Sequence, residues 1–318
     1  MDQDLRRRRT MKTKSGVSLG ISLPYSFPDA RVDHAYIRSF VRRAEALGFD
    51  DGWLTEGILN PNFVLEPVTY IAHLAALTEK IRFGISVIIL NYRNPIQLAK
   101  QLATVDHLSN GRLTVGFGLG GGTSLYPAFG IDEKKRVTRF EEAFKVMNAL
   151  WTEERVTIDG QFWKLSNQGM QPRPLQKPRI PVFLGGHSEP AMRRAIRLAD
   201  GWMAAGSTGN EESLVDLARM HGYLAEAGVD PKRFWLSKRI YMAVEDDEAK
   251  ARQKLNAALS YQYAGRDQSH VGLAATPSQA VAWLKRFIDA GVNHILLNPC
   301  YEHESQMETL AAKVVPQL

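Results

Sequence analysis

From residue 16 onward, short apolar segments rich in β-forming residues alternate with longer segments of helical periodicity. This alternation is typical of parallel strands, because each crossover between parallel strands needs a dozen or more residues, usually a helix. The strand candidates lie at residues 17–23, 52–55, 81–90, 113–119, 180–184, 201–205, 235–244 and 294–298. The helical segments lie at residues 36–47, 67–77, 95–108, 136–151, 190–199, 211–227, 247–260 and 278–290. Eight of each predict an α/β fold, specifically a (β/α)8 TIM barrel.

The interval between the fourth and fifth strand candidates is too long for a single helix. After the helix at 136–151, two β-prone pieces within 156–165 flank Asp159 and Gly160, a dipeptide typical of hairpin turns. The following segment, 172–181, holds four prolines and is expected to be extended. We therefore predict a hairpin insertion between strands 4 and 5. Because no linker divides the body, residues 16–318 are predicted to form one domain.

The composition excludes several classes of protein. With 44% hydrophobic and 23% charged residues, the 318-residue chain is close to an average globular protein and unlike a collagen or a mostly disordered chain. The net charge is +6, but residues 1–15 hold six basic and two acidic residues, which leaves +2 for the rest. Residues 1–15 are predicted to be a flexible basic tail, with contact to nucleic acid or an acidic surface as the alternative. The body has no charge excess that would indicate nucleic-acid binding.

The single cysteine, Cys300, excludes an intramolecular disulfide bond, which fits a reducing compartment. No apolar run approaches the roughly 18 residues that a membrane-spanning helix needs. No apolar stretch follows the arginines at 6–9, so a secretory signal is not expected. We therefore predict a cytoplasmic protein without a membrane segment.

Functional groups of such barrels gather at the C-terminal ends of the strands. Two neighbouring strand ends share a glycine-rich sequence with hydroxyl groups, namely Gly185, Gly186, His187 and Ser188 after the fifth strand, and Gly206, Ser207 and Thr208 after the sixth. The unpaired N–H groups and the dipole of the helix after Ser188 favour an anion, most simply a phosphate. A capped turn without a ligand is the alternative.

Glu56 is the carboxylate that the pattern places at a strand end in the expected pocket. It could orient a ligand N–H group or act as a general base, and the alternative is a glutamate that lies at the surface or only supports other residues of the site. The same alternatives apply to Thr55 beside it. A glycine-rich stretch at 116–122 does not fit a dinucleotide-binding fingerprint, since no helix follows directly and Pro127 interrupts it. It indicates a strand passing close to a flat ligand, or a mobile loop.

Several chemistries lack support in the sequence. Histidines do not occur at metal-ligand spacings, so no metal site is predicted, and no nucleophile-elbow motif is present. A Schiff-base mechanism would need a lysine within a barrel strand. Lys238 alone is placed there, near the start of its strand and away from the active end. A phosphate site without an obvious nucleophile suits a cofactor that supplies the chemistry itself.

Several longer segments form a recognisable combination. They are GFDDGWLTEG at 48–57, NYRNPIQLAKQLATVDHLSNGRLTVGFGLG at 91–120, RFEEAFKVMNALW at 139–151, TIDGQFW at 157–163 and QPRPLQKPRIPVFLGGHSEPAMRRAIRLADGW at 171–202. Together they resemble the bacterial luciferase-like, flavin-dependent oxidoreductases over about residues 16–300. The resemblance implies a (β/α)8 barrel with insertions, in agreement with the strand count.

The resemblance also implies where a flavin would bind. The flavin lies across the C-terminal mouth, with its phosphate at the fifth and sixth strand ends, where Gly185 to Ser188 and Gly206 to Ser207 stand here. In many members the third strand has a bulge, often with a non-proline cis peptide bond, that supports the flavin ring. The matching residues are Ser86 and Val87, and Thr55, at the end of the second strand, is also predicted to bind the cofactor.

Two subfamilies compete. One uses reduced FMN and O2 as a monooxygenase and receives its flavin from a separate reductase, and the other uses coenzyme F420 for hydride transfer. The segment GGHSEPAMRRAIRLADGW resembles the F420 group. That group often has an Asp–His pair at the end of the second strand, where this chain has Glu56 and Gly57, and the difference favours FMN. A non-catalytic flavin-binding protein is a further alternative.

The substrate class is only outlined. Tyr25, Phe27, Phe63 and Tyr126 fall in loops near the expected mouth and indicate a small apolar or aromatic organic compound, unless they serve packing alone. The resemblance implies a homo-oligomer formed through the barrel helices.

Overall fold

The computed structural model describes residue 13 and residues 15–120, 123–263 and 270–318. Its strands are β1 (Ser18–Ser22), β2 (Asp51–Leu54), β3 (Arg82–Ile89), β4 (Leu113–Gly118), β5 (Val156–Asp159), β6 (Lys164–Gln168), β7 (Val182–Gly185), β8 (Gly201–Ala204), β9 (Trp235–Val244), β10 (Gly272–Ala275) and β11 (His294–Pro299). A ring of parallel pairings joins β1, β2, β3, β4, β7, β8, β9 and β11 and returns to β1. The predicted (β/α)8 barrel is confirmed, and each strand candidate lies in this ring.

Helices cover the outside of the barrel. They are α1 (His34–Leu47), α2 (Pro67–Ala75), α3 (Pro95–Leu108), α4 (Arg136–Thr152), α5 (Glu189–Leu198), α6 (Asn210–Glu226), α7 (Glu248–Gln262), α8 (Pro277–Asp289) and α9 (His303–Thr309). Sequence signals define their ends. The Asp33 carboxylate accepts the N–H groups of Ala35 and Tyr36 at the start of α1, and Gly48 ends the helix with φ of 89°.

The insertion between β4 and β7 is an antiparallel hairpin of β5 and β6, as predicted. Its turn is attached to α4 through one side chain. The Glu142 carboxylate accepts the backbone N–H groups of Gln161, Phe162 and Trp163 at 3.0, 2.8 and 2.8 Å. The hairpin therefore has a defined position against the helix layer.

Two elements were not predicted. Strand β10 pairs with residues 241–244 of β9, beyond the part of β9 that pairs with β8, and extends the sheet past the barrel rim. Its sequence, Gly-Leu-Ala-Ala, has little β-propensity of its own, so its pairing with β9 decides its conformation. Helix α9 follows β11 at the end of the barrel.

A polar layer lies inside the barrel at the N-terminal ends of its strands. His294 Nε2 is 3.0 Å from Asp51 Oδ1, and His294 Nδ1 is 2.6 Å from Ser237 Oγ. Trp53 Nε1 also donates to the Asp51 carboxylate. These side chains are buried and have partners. This Ser–His–Asp arrangement lies at the end of the barrel opposite the expected site, so it stabilises the interior rather than serving a substrate.

The predicted basic tail falls mainly outside the described residues, which lack 1–12 and 14. Hydrogen bonds hold the segment that leads into β1: Thr13 Oγ1 donates to the Val17 carbonyl over 3.0 Å, and the Ser15 N–H donates to the Leu318 carbonyl. Among the helices of the described ranges, none combines the length and apolar character needed to span a membrane.

Candidate active site

A cis peptide bond joins Ser86 and Val87 near the C-terminal end of β3. The ladder between β3 and β4 shifts register between Ile85 and Ile88, so these residues form a bulge. The bulge and the cis bond are both features that the family resemblance implied for this strand. They lie at the end of the barrel where functional groups of this fold gather.

Residues from three strands meet at the bulge. Arg239 Nη1, on β9, donates to the Ser86 carbonyl over 3.2 Å and to Thr55 Oγ1 over 2.6 Å. Thr55, which follows β2, donates to the same Ser86 carbonyl over 3.4 Å. Two of the predicted cofactor-binding residues, Thr55 and Ser86, therefore contact one guanidinium group.

The Arg239 guanidinium is a buried cation, and the residue is only 5% exposed. Its other edge is held by Asn298, whose Oδ1 accepts from Nε over 2.7 Å and from Nη2. Within the described ranges, Arg239 has no carboxylate among its hydrogen-bond or ion-pair partners. A buried charge without a counter-charge is costly. The site is therefore suited to a ligand that presents a negative charge.

Phenol groups gather beside this cation. Arg239 Cζ lies 4.9 Å from the centroid of the Tyr241 ring. The Tyr241 hydroxyl accepts from Tyr263 Oη and from Gln262 Nε2, each over 3.1 Å. Burial raises the pKa of the Tyr25 and Tyr241 phenols above the usual range. Both phenols are therefore protonated at neutral pH and can donate hydrogen bonds.

Val87 occupies space that two glycines of β4 leave open. A Cβ atom on Gly116 would lie 2.7 Å from the Ile85 carbonyl oxygen and 3.1 Å from Val87 Cγ1. On Gly118 it would lie 2.9 Å from Val87 Cγ2. These glycines accommodate the bulge of β3, a role that the sequence pattern did not indicate. Positions 121 and 122 of the glycine-rich stretch lie outside the described residues.

The turn after β7 leads directly into α5. Gly186 has φ of +126°, a conformation that favours glycine, and its carbonyl accepts from Trp202 Nε1 over 2.7 Å. Ser188 precedes α5, yet its side chain makes no capping hydrogen bond to the helix. Pro190 has no N–H group, and the Ala191 N–H donates to the Ser188 carbonyl over 3.0 Å, so the first turn offers an anion only the Glu189 N–H and the Ser188 hydroxyl.

His187 lies at the solvent edge of this turn. Its side chain is 69% exposed, and Nδ1 is 4.0 Å from Glu212 Oε1 of α6. Its carbonyl accepts from Arg219 Nη1 over 3.4 Å. The imidazole is placed to contact a ligand at the rim rather than one deep in the barrel.

The turn after β8 adjoins the Arg239 cluster. A hydrogen bond of 3.2 Å from the Thr208 N–H to the Ala205 carbonyl closes it. A Cβ atom on Gly206 would lie 2.7 Å from the Tyr241 ring and 3.3 Å from Arg239 Cδ. The phosphate site predicted from sequence and the buried cation are therefore neighbours in one mouth.

Glu56 lies at the end of β2 with both carboxylate oxygens engaged. Oε2 accepts the Ile89 N–H over 2.8 Å, and Oε1 accepts from Arg93 Nε over 2.9 Å. Arg93 also bonds Glu66 over 2.9 Å. Burial raises the pKa of Glu56, although Arg93 opposes that shift. This carboxylate connects β2 to the segment that follows the bulge, so a role as general base stays a prediction.

Sequence reasoning missed Arg239 and misplaced Lys238. Strand β9 is offset along the barrel, so that Lys238 pairs with Ala204, the last residue of β8. The Lys238 side chain consequently reaches the β8–α6 turn at the C-terminal mouth and does not lie away from it. The available signal was two adjacent cations within an otherwise apolar strand, which is unusual for a barrel interior.

The loop aromatics differ in their surroundings. Tyr126 and Phe27 are buried, and the Tyr126 hydroxyl donates to the Leu119 carbonyl over 2.9 Å. Phe63 is 42% exposed and packs edge-to-face on Phe27. Phe63 and Tyr25 therefore remain candidates for substrate contact, whereas Tyr126 serves packing. Across the described ranges, no group of three or more His, Cys, Asp or Glu side chains could hold a metal ion.

A family model described as luciferase-like monooxygenase matches residues 17–294, which includes seven of the eight barrel strands in full and the first residue of β11. The chain belongs to this luciferase-like family. The match extends from β1 to the start of β11 and so covers the cis peptide, Arg239 and both glycine-rich turns. Membership supports an enzyme of the oxidoreductase class.

Individual relatives of this luciferase-like chain fall into different reaction classes. A 140-residue segment is 38% identical to an uncharacterised protein of Mycobacterium tuberculosis, and it covers 44% of this chain and about half, 49%, of that relative. An F420-dependent glucose-6-phosphate dehydrogenase of Amycolatopsis mediterranei is 24% identical over 311 residues, 87% of this chain and 92% of that protein. The crystal structure of monooxygenase RslO1 from Streptomyces bottropensis superposes with a TM-score of 0.81 at 24% sequence identity. The superposition covers 94% of this chain and 99% of that one, and it supports the barrel fold.

Proposed function

We propose that this luciferase-like protein is a monooxygenase that uses reduced FMN and O2 on a small organic substrate. The observation that carries the proposal is the buried Arg239 guanidinium, which contacts the cis-peptide bulge and has no carboxylate partner among the described residues. Reduced flavin is readily deprotonated on its pyrimidine ring. A fixed cation in a dry mouth would stabilise that negative charge.

The residues of the mouth fit the two ends of FMN. The turns after β7 and β8 offer backbone N–H groups, and Ser188 and Ser207 offer hydroxyl groups, for a phosphate. The bulge at Ser86 and Val87, with Thr55 beside it, would support the ring. We therefore propose as cofactor contacts the residues predicted from sequence, Thr55, Ser86, Val87, Gly185, Gly186, His187, Ser188, Gly206 and Ser207, together with Arg239.

Bound reduced FMN would supply the two electrons for the activation of O2. The chain's own contribution would be to bind and orient the flavin and to exclude water from the mouth. Arg239, held by Thr55 and Asn298, would orient the pyrimidine edge of the ring. The protonated phenols of Tyr25 and Tyr241 would donate hydrogen bonds, since burial keeps them neutral. Such groups preorganise the mouth without acting as a nucleophile.

The charges at the rim favour FMN over coenzyme F420, whose tail carries several carboxylates. Arginines near the phosphate turns are already paired with acidic side chains: Arg193 with Glu189 and Glu226, Arg219 with Asp216, and Arg286 with Glu211. A polyanionic tail would compete with these carboxylates. The single terminal phosphate of FMN could be bound by the turns after β7 and β8 alone, without these arginines.

A separate flavin reductase is the electron source that we propose. The glycine-rich stretch at 116–122 does not form a dinucleotide fingerprint, so reduction by a bound nicotinamide has no support in the chain. The homo-oligomer and the cytoplasmic location expected from sequence remain predictions.

F420-dependent hydride transfer is the second candidate. It is favoured by the dehydrogenase of Amycolatopsis mediterranei, whose similarity extends over 87% of this chain. The non-catalytic flavin-binding alternative requires only the cofactor site.

Cofactor titration distinguishes the candidates. Oxidised and reduced FMN, riboflavin and F420 are titrated against the protein by fluorescence, the reduced forms without oxygen. We expect the tightest binding for reduced FMN. Micromolar affinity for F420 without FMN binding would overturn the proposal. Turnover of O2 with a flavin reductase and a panel of apolar substrates then separates a monooxygenase from a binding protein, for which no substrate accelerates reoxidation.

A further inference from the structure

Lys238 is a buried lysine directly beneath the β8–α6 turn. Its side chain is fully buried on the outer face of β9, which it shares with Leu236 and Ile240. Nζ donates to the Ala205 carbonyl over 2.9 Å and to the Thr208 carbonyl over 3.1 Å. One ammonium group thus joins the two ends of the turn.

The bonds from Lys238 leave some backbone groups of the turn paired and others free. The Ala205 carbonyl accepts from both Lys238 and the Thr208 N–H, so both ends of the turn are fixed. In the part of the chain that the structure describes, the N–H groups of Gly206 and Ser207 have no hydrogen-bond acceptor. The turn therefore presents two free donors above a cation.

The positive charge has no ion-pair partner in the described ranges. The acidic groups that face it are Asp216 and Glu212 of α6, which act at longer range, and the neighbouring Arg239 opposes them. Asp216 Oδ1 is bonded to Arg219 over 3.0 Å, and Asp216 Oδ2 has no hydrogen-bond partner. Burial lowers the pKa of the Lys238 ammonium to about 7. An anion bound at the turn would supply the missing counter-charge.

We propose that Lys238 is a positioning residue for the cofactor phosphate, one that fixes the Ala205–Thr208 turn and places a cation behind its free N–H groups. The inference rests on the proposed binding of a phosphorylated flavin at this mouth. Lys238 acts through the turn and does not itself need to contact the phosphate. This role would give the outer face of β9 a part in cofactor recognition, although that face does not line the mouth.

Cofactor binding should then be coupled to protonation. An anion near Lys238 raises the pKa of its ammonium, so the bound protein holds more protons than the free protein between the two pKa values. FMN affinity should fall as the pH rises above about 7. Flavin phosphate titrates below this range, near pH 6, and so does not account for a fall between pH 7 and 9.

The test compares FMN with riboflavin, which lacks the phosphate, in the full-length protein. In Lys238→Met we expect the FMN Kd at pH 7 to rise at least tenfold and the riboflavin Kd to change less than twofold. Lys238→Arg retains the charge and should recover part of the FMN affinity. Lys164→Met, at an exposed position of the hairpin, is the matched control and should bind like the wild type.

Calorimetry in two buffers of different ionisation enthalpy measures proton uptake at pH 8. We expect uptake on FMN binding by the wild type and none by Lys238→Met. If Lys238→Met binds FMN as tightly as the wild type, or loses FMN and riboflavin affinity by the same factor, the inference is wrong while the proposed function stands. If the wild type binds neither FMN nor F420, the proposed function fails and the inference with it. Thermal unfolding of each variant reports whether it folds.

Discussion

Arg239 Nη1 and Thr55 Oγ1 lie 2.6 Å apart, although the two residues are separated by 184 positions in the sequence. Their contact joins β9 to the end of β2 and places both groups on the carbonyl of the Ser86–Val87 cis peptide. The candidate site therefore depends on the closure of the barrel, and its central cation can be tested directly.

Arg239→Met should weaken binding of reduced FMN at least tenfold and reduce the preference for reduced over oxidised flavin. A hydrogen bond from a charged group to a ligand contributes about 1.5–3 kcal/mol, enough for such a change. Arg239→Lys should retain part of the preference. Anaerobic fluorescence titration measures both affinities, with Arg155→Met on the hairpin as control. Unchanged affinity for reduced FMN in Arg239→Met would contradict the proposed role.

Gly116→Ala should destabilise the protein by about 1–3 kcal/mol, the usual cost of an added methyl group that cannot be accommodated. The new Cβ would lie 2.7 Å from the Ile85 carbonyl oxygen, and backbone cannot move aside cheaply. Gly185→Ala is the matched control, because its Cβ would find neighbours only at 3.8 and 3.9 Å. Urea unfolding compares the two variants. Equal stabilities would show that Gly116 does not constrain the bulge.

The variant Glu56→Gln tests whether Glu56 only holds its neighbours in place or also acts as a general base. The amide oxygen can still accept the Ile89 N–H, but the charge opposite Arg93 is lost, so we expect about 1–3 kcal/mol of lost stability. Arg93 keeps its bond to Glu66, which limits the loss. Turnover at saturating cofactor should stay within about threefold of the wild type. A fall of about 100-fold or more, with loss of one limb of the pH–rate profile, would instead identify Glu56 as a general base.

Glu245 should contribute to stability against acid. Hydrogen bonding by Tyr301 and Lys254 lowers the pKa of its carboxyl to about 2. Because the folded-state pKa lies below the ordinary value of about 4.5, the stabilisation is present above that value and is lost as the pH falls towards 2. Glu245→Gln should therefore cost about 1–3 kcal/mol at pH 6 and almost nothing at pH 2. Unfolding curves at several pH values check this, and a pH-independent difference would refute it.

Local patterning was sufficient to predict the fold. Alternating apolar and helical periodicity located all eight barrel strands, and Asp159 and Gly160 located the hairpin, because turn chemistry and periodicity are properties of neighbouring residues. Strand β10 was not predicted, because its Gly-Leu-Ala-Ala sequence acquires its conformation from pairing with β9.

The candidate site was only partly determined by the sequence. Glycine-rich strand ends and family-like segments indicated the two turns and the Ser86–Val87 bulge, since each is a contiguous motif. The surroundings of Arg239, the engagement of Glu56 by Arg93 and the reach of Lys238 to the β8–α6 turn were decided only by the tertiary structure. Each depends on the stagger and closure of the barrel, which bring residues far apart in the chain within hydrogen-bonding distance, and no local pattern encodes that register.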